Sequence, residues 1–188
     1  MKPQWSKISL QSKGAFCVLL MLLLAGFSEK QAKAQLANEY QVKAAFILNF
    51  AKFVEFPGDS FSDGPMLVIG VLGDDPFGST IDQIMNGSNA NGHRLVVKRL
   101  HWGDNLRSCQ ILFISSSEKK RLGQILDGLR GASVLTISDV SNFNQSGGVV
   151  RFFIQDDKVR FEINADAASQ ARLKISSKLM ALSKSARG

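Results

Sequence analysis

The run Gly73-Asp74-Asp75-Pro76-Phe77-Gly78-Ser79-Thr80 comes nearest to a chemical motif in this chain. Gly73, Gly78 and Thr80 keep the spacing of a phosphate-binding loop, where backbone N–H groups cradle phosphates and a lysine reaches the terminal ones. Ser79 stands where that lysine belongs, and Asp74 and Asp75 would repel an anion. A strand-to-helix turn with Pro76 opening the helix accounts for the same residues. An acidic pair after a first strand also suits a phospho-receiver pocket. That pocket needs an aspartate after the third strand and a lysine after the last, whereas this chain offers Ser115, Ser116 and Ser117 and then no suitable lysine. His93 and His101 mark the two ends of one apolar run, roughly 26 Å apart if extended, and cannot share a metal. No G-x-S-x-G or H-E-x-x-H string occurs. The expectation is therefore a protein that is not an enzyme, with no catalytic set, no metal and no cofactor.

The elements that would position any site begin after an export signal. Lys2, Lys7 and Lys13 precede an unbroken apolar run over residues 15–27, too short to span a bilayer comfortably. Ala32 and Ala34 flank Lys33 in the small-x-small arrangement of a cleavage site. A signal peptide over residues 1–34 is expected, cleaved after Ala34, leaving a periplasmic domain over 35–188 with no stable membrane insertion. Cys17 lies inside the apolar run, which is the wrong place for a lipid acceptor. The whole chain carries a formal charge of +7, but residues 35–188 hold 18 basic against 15 acidic residues. So small an excess gives no call for a nucleic-acid partner, which needs a concentrated basic face. With 45% apolar and 21% charged residues, disorder and coiled coil are excluded. Only Cys109 survives processing, so no intramolecular disulfide can form; at the mouth of the apolar run CQILFI it reads as a small buried hydrophobe.

Residues 39–56 read as a buried helix ended by Pro57, with Phe46, Phe50 and Phe53 at helical spacing. Short apolar runs at 66–73, 93–101, 109–117 and 133–139 alternate with helical segments, which argues for parallel strands covered by helices. Ser115 and Glu118 have the spacing of a capping box. The runs 149–154 and 159–164 are too close for a crossover and must form a hairpin. One last helix is expected, capped by Asn164 to Asp166, with Ala168, Ala171, Ile175, Leu179 and Leu182 on its buried side and Lys184 at its end. The fold class is thus α/β: a single domain with a mainly parallel sheet flanked by helices and an antiparallel hairpin at one edge.

The strings EYQVKAAFILNFAKFVEFP, VIGVLGDDPFG, CQILFIS, SVLTISD, Gly147-Gly148 and FEIN, followed by an Ala-rich helix ending LKISSKLM, together resemble the YfiR-like family over nearly all of residues 39–182. The resemblance implies a periplasmic repressor that binds the periplasmic sensor domain of an inner-membrane diguanylate cyclase and lowers cyclic di-GMP and biofilm formation. It also implies an outer-membrane lipoprotein that sequesters the repressor. Better-known members have further cysteines, one of them where Gly70 stands, able to pair with the cysteine of the CQILFI strand; this chain lacks that staple. Whether the chain forms a homodimer is left open. Two groups of partner-binding residues are expected. On the hairpin and its flank, Val150, Phe152, Phe161, Glu162 and Asn164 alternate by strand period, so some must face outward; at the first helix end, Asn49, Lys52, Glu55 and Phe56 could line a groove. The competing reading is a periplasmic small-molecule-binding or sensor protein. Its ligand would sit beyond the carboxyl ends of the strands, at Asp74, Ser115 to Ser117 and Asp139.

Overall fold

The computed structural model describes residues 34–62 and 64–185. The expected signal peptide lies outside the described residues except for Ala34. The chain divides into two units, Met1–Glu39 and Tyr40–Gly188. Of the first unit only the helical residues 34–39 are described, and the sheet and its covering helices belong to the second.

Helix α1 covers residues 34–53 and is followed directly by β1 (Val54–Glu55). A 3-10 turn, Gly58–Phe61, leads to β2 (Met66–Leu72) and α2 (Ser79–Met85). Next come β3 (Asn89–Ala90), β4 (His93–Leu100) and β5 (Ile111–Ile114), then a 3-10 helix, Ser116–Arg121, running into α3 (Leu122–Gly128). The chain continues through β6 (Leu135–Ser138), β7 (Val150–Gln155), β8 (Lys158–Ile163), α4 (Ala165–Gln170), β9 (Lys174–Ile175), α5 (Ser177–Leu182) and β10 (Lys184–Ser185).

Among the described residues one sheet has the order β10-β8-β7-β6-β5-β2-β4-β3, and β1 pairs separately with β9. β2 is parallel to both β4 and β5, β5 to β6 and β6 to β7, while β7 and β8 form the antiparallel hairpin. The central strand explains why the runs are continuously apolar. Leu67, Ile69 and Val71 face the core beneath α1 and α2, and Val68 and Leu72 face the core beneath α3. A strand buried on both sides has no solvent face to give polar residues, so its run is largely apolar. The expected fold class holds. The hairpin sits at one end of the sheet, and the two-residue β10 adds in parallel outside it.

Several boundaries differ from expectation for identifiable reasons. α1 stops at residue 53 because Val54 and Glu55 pair antiparallel with Ile175 and Lys174. Pro76 does not open α2; Asp75 accepts from the Phe77 N–H at 2.8 Å, and the helix begins only after Gly78. Ser115 caps the 3-10 helix by accepting from Ser117 N–H. The other half of the expected box is missing because Ser115 N–H already donates to Leu72 O at 3.0 Å, and Glu118 instead takes Arg121 at 3.0 Å. The expected last helix is two helices. Asn164 caps α4 as expected, but α4 closes with Leu173 N–H donating to Ala168 O and Arg172 left-handed at φ 58°. That is a Schellman-type stop. β9 then leaves to join β1, so Leu182 is 66% exposed rather than buried, and Lys184 lies in β10 rather than at a helix end.

Candidate functional site

The order of the sheet reverses at β2, so the crevice between the carboxyl ends of β2 and β5 is where this architecture ordinarily takes a ligand. Here the chain's own side chains fill it. Asp74 N–H donates to Ser117 Oγ at 3.0 Å, and a side chain at Gly73, whose φ is +87°, would collide with Ser117 and Glu118. Arg99 donates through Nε to Asp75 at 3.0 Å and through both terminal nitrogens to Asp82 at 2.6 Å. Those bonds hold the Asp82 carboxyl below its ordinary range against the opposing effect of burial, and they raise the Arg99 guanidinium. At the end of β6, Asp139 accepts from Tyr40 Oη at 2.7 Å and from the buried Lys43 Nζ at 2.9 Å. Of the acids read as candidate chemistry, Asp75 and Asp139 are thus committed to bonds within the fold, and Asp74 is held there through its backbone N–H. His93 opens β4 and His101 follows its last residue, Leu100, and the His93 ring stacks on Phe61 at 3.7 Å. Among the described residues no cluster of three or more His, Cys, Asp or Glu could hold a metal ion.

The hairpin group of expected partner-binding residues needs correction. Val150, Phe152 and Phe161 are at most 3% exposed. Their strand face turns toward α1, where Phe50 lies 5.9 Å from Phe152 and 5.1 Å from Phe161, and Phe46 lies 5.2 Å from Phe161. The phenylalanine stripe of α1 and the hairpin phenylalanines therefore make one core cluster, each the other's cover. Glu162 is on the outer face but is ion-paired with Arg151 across the hairpin. Asn164 is occupied at both ends, capping Ala167 N–H at 3.0 Å and donating to Asn144 O at 3.0 Å.

The second group fares differently. Asn49, Lys52 and Glu55 are exposed on α1 and β1, while Phe56 is half-buried against Phe61. The β1–β9 pairing brings new neighbours to them. Lys174 Nζ lies 4.0 Å from Glu55, Lys178 Nζ lies 5.4 Å from the Phe53 ring, and Ser176 N–H donates to Phe53 O at 3.0 Å. Alongside runs a cleft of about 410 Å³ between α4, β9 and α5, floored by Ala168, Leu173 and Ile175 and edged by Arg172, Lys174 and Met180. This combination of an apolar cleft with a charged rim is the anatomy of a protein-binding surface. Sequence reasoning misses Lys174, Lys178, Ile175 and Met180 because it expects a single continuous helix there. The string Leu173-Lys174-Ile175-Ser176-Ser177 carries the usable signal, a β-branched residue followed by a serine N-cap, and Ser176 does accept from Leu179 N–H at 3.2 Å.

Cys109 is buried, and that burial pushes its thiol up. Its sulfur abuts Gly70, where an added Cβ would stand 2.8 Å from Sγ. No helix among the described residues is long and apolar enough to cross a membrane.

A family model described as YfiR/HmsC-like matches residues 40–184. No curated protein matches the chain.

Proposed function

Because the chain belongs to the YfiR/HmsC-like family, we propose that it is an exported, non-enzymatic regulator that binds the periplasmic domain of an inner-membrane diguanylate cyclase and holds the cyclase inactive. In this reading residues 1–34 are removed on export. The observation that carries the reading is the corner where α1, β1, β9 and α5 meet. Lys174 edges an apolar cleft there and lies 4.0 Å from Glu55, with Lys52 and Lys178 exposed on α1 and α5, while Ser117 bridges to Asp74 across the crevice used for ligands in similar sheets. An apolar side chain of the cyclase enters the cleft, and the charged rim fixes its orientation. Repression requires that this surface fit the inactive cyclase better than the active one, since equal affinity for both shifts nothing. Moving a cyclase from one part in a hundred inactive to ninety-nine needs about 5.5 kcal/mol of differential binding. An outer-membrane lipoprotein that sequesters the regulator would compete for the same corner.

The test is genetic and quantitative. Deleting the gene in its native host should raise cyclic di-GMP, and the wild-type chain should restore the low level. Lys52→Glu combined with Lys174→Glu should not restore it, although both positions are exposed and the variant should melt near wild type. Capture from gently solubilised envelopes should retain a membrane diguanylate cyclase with the wild-type bait and lose it with the variant. Full repression by the double variant would remove this corner from the mechanism, and an unchanged cyclic di-GMP level on deletion would remove the cyclase.

A further inference from the structure

At the amino ends of β5 and β6, the opposite end of the sheet from the filled crevice, a polar cleft of about 180 Å³ opens between the turn Gly58–Phe61, the segment 107–110 and the loop 131–133. Arg107, Arg172, Asp59, Ser60, Ser62 and Ser133 stand in its walls. Three features of these residues bear on what the cleft could hold.

The hydroxyl oxygens of Ser60 and Ser133 are shut off from solvent and have no hydrogen-bond partner. Buried polar atoms in native proteins are nearly always paired, so two unpaired hydroxyls in the walls of one small cleft point to a partner from outside the chain. Donation to a group in the cleft requires each hydroxyl to rotate about χ1 into another staggered well. The second feature is Arg172, left-handed at φ 58° immediately after α4. Glycine is the ordinary residue at that stop, and an L side chain there is strained. The side chain that is kept reaches Asp59 through two bonds of 2.9 and 3.3 Å, so the one carboxylate among the described residues of the cleft is already neutralised. The third is Arg107. Its Nε and Nη2 each donate at 2.9 Å to the carbonyls of Gly128 and Arg130, which pins the guanidinium plane against the end of α3. Among the described residues no carboxylate pairs with it, so the described lining of the cleft carries a net positive charge from a pre-oriented cation.

From these we infer that the cleft binds a small oxyanion, a phosphate, sulfate or carboxylate group, with Arg107 supplying the charge and the Ser60 and Ser133 hydroxyls donating to its oxygens. A guanidinium held in plane suits the oxygens of such a group better than a lysine would. The volume lies below the range of pockets that hold a drug-sized ligand, so the site fits a single charged group. This inference can fail separately from the cyclase reading, because the residues its test replaces, Ser60, Ser133 and Arg107, lie outside the proposed partner surface, although Arg172 borders both clefts.

The experiment is a calorimetric and thermal titration of the protein with inorganic phosphate against chloride at equal ionic strength. Phosphate stabilises most proteins weakly by exclusion from their surface, without saturating. The site should add a saturating heat and a saturating rise in Tm. Ser60→Ala with Ser133→Ala should weaken that binding about a hundredfold, the loss of two hydrogen bonds to a charged ligand. Arg107→Gln should abolish it. Arg107 also ties down the end of α3, so the serine pair, which only removes oxygens, decides the matter if Arg107→Gln folds poorly. Co-sedimentation with phosphatidylglycerol vesicles, compared with phosphatidylcholine vesicles, separates the sources of the anion. Pelleting that the serine variant loses assigns a lipid headgroup, and binding of free phosphate alone assigns a soluble anion; either upholds the site. Absence of saturable binding of both phosphate and vesicles, or identical titrations for wild type and the serine variant, would overturn it.

Discussion

Gly70 and Cys109 allow a perturbation whose size can be worked from the structure. A Cβ built on Gly70 stands 2.8 Å from Cys109 Sγ, near the separation of about 3 Å between a Cβ and the far sulfur of a disulfide. The backbone at Gly70 is not left-handed, so a cysteine is admissible there. Gly70→Cys should therefore cross-link to Cys109. The bridge closes a loop of about 40 residues, for which loss of denatured-state entropy amounts to ~4 kcal/mol. Against this, the Leu100 and Leu112 methyls lie 2.7 and 2.9 Å from the new Cβ and must give way. Overpacking of that kind costs about 1–3 kcal/mol. The reduced variant should thus melt below wild type, and the oxidised variant should melt above its own reduced form by roughly 10 °C for a domain of this size. Burial that pushes the Cys109 thiol up leaves little thiolate at neutral pH. The bridge should consequently form when oxidant is present during refolding and only slowly when it is added to folded protein. The assay is thiol counting in denaturant, in which oxidation removes two thiols, paired with melting curves with and without reductant. If both thiols persist after oxidative refolding, or if oxidation lowers the Tm, the placement of Cys109 against β2 is wrong.

Phe152→Ala should cost about 3–5 kcal/mol in urea unfolding, because it empties the centre of the four-phenylalanine cluster. A loss below about 1 kcal/mol would make Phe152 a surface residue again. Asp82→Asn tests the carboxyl that Arg99 holds below its ordinary range. A carboxylate lowered in the folded state stabilises the protein above its unfolded pKa of about 3.9, and that contribution disappears as pH falls through the folded value. The variant should be less stable than wild type near neutrality, and its Tm should fall less than that of wild type between about pH 6 and about pH 3. Parallel falls in Tm would show that the Arg99–Asp82 pair carries no part of the acid sensitivity.

Legible in the sequence is what burial imposes on both sides of a strand. The runs containing Val68–Leu72 and Ile111–Ile114 are apolar without alternation because helices cover both faces, and no other element explains them. The hairpin is legible as a hairpin but not in its facing. Phe152 and Phe153 are adjacent and so point to opposite faces, and an apolar residue on each face leaves period-two reasoning without a choice. The sequence of α1 holds the missing information, since Phe46 and Phe50 need an aromatic surface to pack on and Val150, Phe152 and Phe161 provide it. Beyond the hairpin, one residue misleads. Arg172 takes a conformation expected of glycine, and without a glycine the stop between α4 and β9 leaves no ordinary signal.

That unsignalled stop has a functional consequence. Had the helix continued past Ala171, as its alanines and leucines invite, Lys174 and Ile175 would not be in extended backbone, and β1 would have no partner. α1 would then end on an unpaired Val54–Glu55, and Lys174 would not approach Glu55 nor Lys178 the Phe53 ring. The cleft between α4, β9 and α5 exists only because the chain turns at Arg172 and starts a second helix at Ser176. The proposed partner surface is therefore a product of one backbone kink rather than of either helix, and Asp59, which holds the Arg172 side chain, stabilises that kink.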